Sequence, residues 1–240
     1  MQTHPAITVR HEGPVAVVTL DDGKANALTS PLMNALRETF VALAAPDGAG
    51  AIVRAGRASF FSGGLDIKLL PTLPHEARVE TVKDLGRMLL EIFLLPRPVI
   101  AAVTGHAIAG GALLALAADA RIGAEGKARF GLNEVTIGLP LPTFGVEIAR
   151  ATIPHPTLTE AVLHGKVWSH AEAHTRGALD ELRAPEAVVA AAIERATAMA
   201  PVATSPYLLT KRRLRGAAAD VVRGTLDDEI EGFLKSFANL

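Results

Sequence analysis

Two pairs of adjacent glycines mark where this chain could do chemistry. Gly63-Gly64 lies in FFSGGLDIK (Phe60–Lys68), and Gly110-Gly111 lies in HAIAGGALLALAAD (His106–Asp119). Glycine is a poor helix former, yet the second pair heads a run with no charge before Asp119. The first N–H groups of a helix have no internal partner, and that end of the helix is partly positive. At the first pair, Asp66 can cap the next helical turn, which leaves the N–H of Leu65 pointing outward. Two such N–H groups from separate loops can hold one oxygen as it becomes negative, forming an oxyanion hole. Taken singly, each pair is better explained by tight turns and close helix–sheet packing.

Other chemistry-bearing patterns are weaker. The sequence contains no phosphate-binding glycine loop, dinucleotide fingerprint, nucleophile elbow or H-E-x-x-H zinc motif. SHAEAH places His170 and His174 four residues apart on one helix face, a spacing that could bind a metal. Ser169 and Glu172 give the preferred reading, a capping box with the histidines in exposed first turns. No metal site is expected.

The elements that must position these groups alternate. Ile7–Leu20 reads as a hairpin or two successive strands, split at Glu12-Gly13-Pro14. A helix is expected from Ser30 as N-cap and Pro31 as first residue, running to about residue 44. Residues 51–56, 99–103 and 120–124 read as short buried strands. Residues 57–70 read as a loop turning helical, and 75–95 as an amphipathic helix stopped by Pro96 and Pro98. This alternation predicts a layered α/β architecture. After about Phe144 the sequence reads as mostly helical.

Composition bounds the remainder. The 240 residues are 49% apolar, enough for a sizeable core, and carry a net charge of −1. That balance predicts neither a nucleic-acid nor an anionic-membrane partner. Cysteine is absent, which removes disulfides and thiolate chemistry. No signal-peptide pattern and no long uncharged apolar run stand out, so a cytoplasmic protein is expected.

The motifs taken together resemble the crotonase superfamily of enoyl-CoA hydratases and isomerases. FSGGLDIK, HAIAGGALLALAADARI and FGLNEVTIGLPLP occur in order at suitable spacing. VAVVTLDDGKANAL is similar to the family's first strands, and WSHAEAHTRGALDEL to its serine-capped helix and following turn. Lys211 matches a lysine common in its terminal helical region. The resemblance implies an α/β spiral of ββα units with an acyl-CoA site over residues 1–185. It implies a helical oligomerisation region over 186–240 that builds a homotrimer or hexamer. It also implies an acyl-CoA thioester substrate and no separate cofactor, coenzyme A being part of the substrate.

By motif position, the resemblance maps the oxyanion donors to the N–H groups of Leu65 and Gly110. Leu65, Asp66, Ile67 and Lys68 would line the CoA channel, with Lys68 near phosphates or adenine. Ala25 and Ala27 fall in the adenine loop. Phe233 and Lys235 would reach a neighbour's CoA site. Hydratases of the family use two glutamates. One of these positions is Leu113 here; the other is retained as Glu134. Leucine can neither accept nor donate a proton. A single base suffices to move a proton from the α- to the γ-carbon of a 3-enoyl-CoA, so the expected activity is Δ3,Δ2-enoyl-CoA isomerisation. Leu113 would exclude water and help raise the pKa of Glu134. The alternatives are a hydratase working with Glu134 alone and a non-catalytic acyl-CoA binder. Pro140, Leu141, Pro142 and Phe144 replace the family's glycine-rich turn and are expected near the acyl pocket. His106 is expected to be structural and Asp119 to close its helix. Glu147 is a further candidate to face the pocket.

Overall fold

The computed structural model describes residues 4–237; the side chains of Phe233, Lys235, Ser236 and Phe237 lie outside the description. In chain order, the hairpin β1 (Ile7–Glu12) and β2 (Val15–Leu20) leads to β3 (Ala27–Leu28) and α1 (Ser30–Leu43). Then come β4 (Ala51–Gly56), β5 (Ser59–Ser62), β6 (Gly64–Leu65) and α2 (His75–Leu94). The next units are β7 (Val99–Val103), β8 (Gly105–Ile108) and α3 (Gly110–Leu116), then β9 (Ala120–Ala124), β10 (Arg129–Gly131) and α4 (Thr143–Thr152). The chain continues through α5 (His155–Val162), β11 (Val167–Ser169), α6 (His170–Thr175) and β12 (Glu181–Arg183). It finishes with α7 (Val188–Met199) and α8 (Ser205–Phe237).

The strands sort into two main sheets. One has the order β1-β2-β4-β7-β9-β12; the other has the order β11-β10-β8-β5. Three times the chain lays a strand in the large sheet, turns a corner into the small sheet, and then forms a helix. These are the ββα units β4-β5-α2, β7-β8-α3 and β9-β10-α4, with β6 interposed in the first. Within the large sheet β2, β4, β7, β9 and β12 run parallel. Buried on both faces, such strands read as continuous apolar runs, which is why VIAAV stands out in the sequence. Alternation sends Val53 and Ala55 to α7, against Val188, Ala192 and Ala196, and sends Ile52 to the main core.

Several sequence expectations need correction. Residues 57–70 contain β5, β6 and a single 3₁₀ turn (Leu70–Thr72) where a loop turning helical was expected. HAI, expected as a lead-in to a helix, belongs to β8. The later half also holds the short strands β11 and β12 among its helices. The N-cap of α1 is Thr29, not Ser30; the Ser30 hydroxyl instead donates to Asp84 of α2. His170 is fully buried, its Nδ1 2.8 Å from the Ala124 carbonyl oxygen. The capping box itself forms: Ser169 Oγ accepts from Glu172 N–H, and the Glu172 carboxylate accepts from Ser169 N–H.

Arg54 also faces the main core from β4. It is 2% exposed. Its Nη1 donates to Phe61 O at 3.1 Å and its guanidinium lies 3.9 Å from the Phe61 ring centroid. Nε and Nη2 have no partner. Burial pushes its pKa down to about 9. A buried cation without a counter-charge costs folding energy. Arg54→Leu is therefore expected to raise stability by about 1–4 kcal/mol, read as a higher urea midpoint; an unchanged or lower midpoint would contradict this account of the core.

Candidate active site

The two glycine pairs meet. Gly64 has φ +83°, and a Cβ on it would lie 2.9 Å from Gly110 N. A Cβ on Gly111 would lie 2.0 Å from Ser62 O. Both positions therefore require glycine if β6 and α3 are to approach this closely. Asp66 N–H donates to Leu28 O at 3.2 Å across the β3–β6 pair. Successive N–H groups of a strand alternate sides, so that of Leu65 turns the other way, towards Gly110. A Cβ on Gly110 would stand 3.7 Å from Leu65 N. The Asp66 carboxylate accepts from Lys68 N–H at 3.1 Å and Leu69 N–H at 3.0 Å, holding the turn after this donor.

Ala109 sets the second donor. It precedes α3 with φ 52° and ψ −125°, a conformation rare outside glycine. Its own N–H donates to Gly131 O, tying α3 to β10. Gly110 is then the first helical residue, with no intrahelical acceptor for its N–H. In sequence, an alanine before two glycines carries no signal of a positive φ.

Leu65 and Gly110 open on a cavity of about 170 Å³. Its walls are apolar: Val82 and Leu85 from α2, Ile108, Leu113 from α3, Ile137, Leu139, Pro142 and Phe144. Two polar side chains enter it, Asn133 and Glu134. Glu134 is 8% exposed and its Oε2 is buried without a hydrogen-bond partner. Burial pushes the carboxyl pKa up from 4.5 to about 7. A carboxylate with that pKa is matched to accepting and returning a proton near neutrality. Leu113, 1% exposed, supplies no second carboxylate. Asn133, whose Oδ1 is also buried and unpartnered, was missed in the sequence, where nothing separates it from a surface asparagine.

A wider groove of about 870 Å³ adjoins this cavity, sharing Gly63, Leu65 and Ile67 with it. It brings together Ala25, Ala27, Leu65, Asp66, Ile67 and Lys68, along with Asp22, Lys24 and His4. The arrangement is an apolar chamber, with Leu65 and Gly110 in its wall, beside a groove that carries both basic and acidic side chains.

Other candidates lie elsewhere. His106 stacks on Phe60 with centroids 5.2 Å apart and accepts from Arg129 N–H through Nδ1. Glu147 does not line the chamber; it lies 3.4 Å from Arg150. Pro142 and Phe144 do line it, whereas Leu141 packs behind them against Gly145. Asp119 does not cap α3. It is the centre of a buried cluster, accepting from Val99 N–H, Tyr207 Oη, Lys211 Nζ and Arg215 Nη1 at 2.8–3.1 Å. That cluster fixes α8 to the core. Further along α8, the Glu229 carboxylate accepts from Thr143 N–H at the start of α4. Phe233 and Lys235 lie outside the described side chains.

Residues 10–239 match the family described as enoyl-CoA hydratase/isomerase, and the chain belongs to that family. It is 35% identical over 179 residues to a carnitinyl-CoA dehydratase of Salmonella enteritidis, covering 74% of this chain and 67% of that one. An enoyl-CoA hydratase structure from Mycobacterium marinum superposes with a TM-score of 0.87 at 32% identity, covering 95% of this chain and 98% of the other. The human mitochondrial delta3-delta2-enoyl-CoA isomerase gives 0.89 at 25% identity, covering 96% and 91%. The fold is thus shared by proteins named for different reactions, and the site must distinguish them.

Proposed function

We propose that this chain is a Δ3,Δ2-enoyl-CoA isomerase that uses Glu134 as its single acid–base group. The observation that carries the reading is one buried, unpartnered carboxylate with its pKa near 7, facing Leu113 across an apolar chamber. The Glu134 carboxylate removes a proton from C2 of a 3-enoyl-CoA. The electron pair moves onto the thioester oxygen, which the N–H groups of Leu65 and Gly110 hold. The resulting dienolate takes the proton back from Glu134 at C4, and the double bond closes between C2 and C3. Each oxyanion donor of this kind contributes roughly 2.7–4 kcal/mol to lowering the barrier. Lys24 and Lys68 lie in the groove that would take the CoA phosphates.

Hydration needs a second polar group to orient water, and Leu113 stands where one would act. Leu113→Glu is therefore expected to confer measurable hydration of a 2-enoyl-CoA while lowering isomerisation. Loss of the conjugated thioester absorbance, followed in parallel for both proteins, checks this. A variant that folds and binds CoA ester but gains no hydration would count against the role given to Leu113. The reading also includes assembly into a trimer or hexamer through α8, whose outer side exposes Leu209, Leu214 and Val221.

A further inference from the structure

The chamber is small for its task. Ligand pockets ordinarily span about 300–1,000 Å³, whereas this one measures about 170 Å³. Phe144, 1% exposed, forms part of its wall and has nowhere to go. A Cβ on Gly86 of α2 would lie 2.9 Å from Phe144 Cδ1 and 2.7 Å from Leu226 Cδ1. Gly86 of α2 thus stands against the ring, with Leu226 of α8 beside it, and Glu229 fixes the start of α4. The neighbouring apolar cleft beside Leu70, Leu73 and Ala77 has no lining residue in common with the chamber.

We propose that the acyl chamber takes short acyl chains and that Phe144 sets the limit. This rests on the reading of the chamber as an acyl-CoA site, but not on which reaction occurs there. The test is calorimetric titration of the full chain with saturated butyryl-, hexanoyl-, octanoyl- and decanoyl-CoA, which cannot isomerise. Hexanoyl-CoA is expected to bind most tightly and decanoyl-CoA about ten-fold or more weakly. Phe144→Ala is expected to tighten decanoyl-CoA binding by about ten-fold. Phe144→Leu, a smaller truncation, is expected to move the optimum in the same direction. Decanoyl-CoA binding as tightly as hexanoyl-CoA would overturn the proposal, as would an optimum that stays put in a folded Phe144 variant. Short esters bound with the expected limit, but never isomerised when unsaturated, would support the limit and sink the isomerase reading. Long esters bound and isomerised would do the reverse.

Discussion

Glu134→Gln is expected to lower kcat for 3-enoyl-CoA isomerisation by about 10²–10⁴-fold, while the affinity for a saturated CoA ester changes little. The amide keeps the shape of the side chain and removes its ability to carry a proton. The same substitution is expected to stabilise the protein at alkaline pH. The folded-state pKa of Glu134, about 7, lies above its ordinary 4.5. Between those values the folded chain holds a proton that the unfolded chain has released. Stability associated with this group is therefore fully present below pH 4.5 and is lost as pH rises through 7. Above pH 7 the buried carboxylate costs on the order of 3 kcal/mol. Glu134→Gln removes that cost, so urea unfolding at pH 8 should show a gain of this order, and unfolding at pH 4 almost none. In the wild type kcat/KM should rise with pH and level off above about 7, because the base must be ionised. A variant that is both active and no more stable at pH 8 would contradict the assignment.

Asp119→Ala is expected to destabilise the fold by about 3–5 kcal/mol. Asp119 is the shared acceptor for Lys211 and Arg215, which are 5% and 7% exposed. Burial already pushes the Lys211 pKa down to about 8 and lowers that of Arg215. Deleting the carboxylate leaves two buried cations without their counter-charge, and the Tyr207 hydroxyl and Val99 N–H lose an acceptor. Equilibrium unfolding in urea measures the loss. A change below about 1 kcal/mol, the range of exposed ion pairs, would show that the cluster does not anchor α8.

The two results depend on features that differ in how visible they are in sequence. The central strands are legible because burial on both faces makes AIVRAG and VIAAV short apolar runs. Strands β5, β6 and β8 are not, because they are two to four residues long, β6 and β8 begin with glycine, and all exist only through pairing with distant partners. The glycine pairs announce a close approach, but not to what; Gly64 meeting Gly110 is a tertiary fact. Glu134 and Leu113 become informative only through family resemblance, since nothing in their spacing brings them to one chamber. Asp119 illustrates the limit most clearly. Its partners Tyr207, Lys211 and Arg215 lie some 90 residues later, and a local reading offers only a helix stop. Phe144 was expected near the pocket, but its place against Gly86, beside Leu226, could not be foreseen from three separate helices.

The central claim is that one buried glutamate and two N–H donors move a double bond without adding water. The most direct test gives the purified protein a 3-enoyl-CoA and, separately, a 2-enoyl-CoA, and follows the conjugated thioester absorbance. The account expects absorbance to grow with the first substrate, to stay nearly constant with the second, and the growth to vanish in Glu134→Ala. Steady loss of absorbance from the 2-enoyl-CoA, with none formed from the 3-enoyl-CoA, would contradict it.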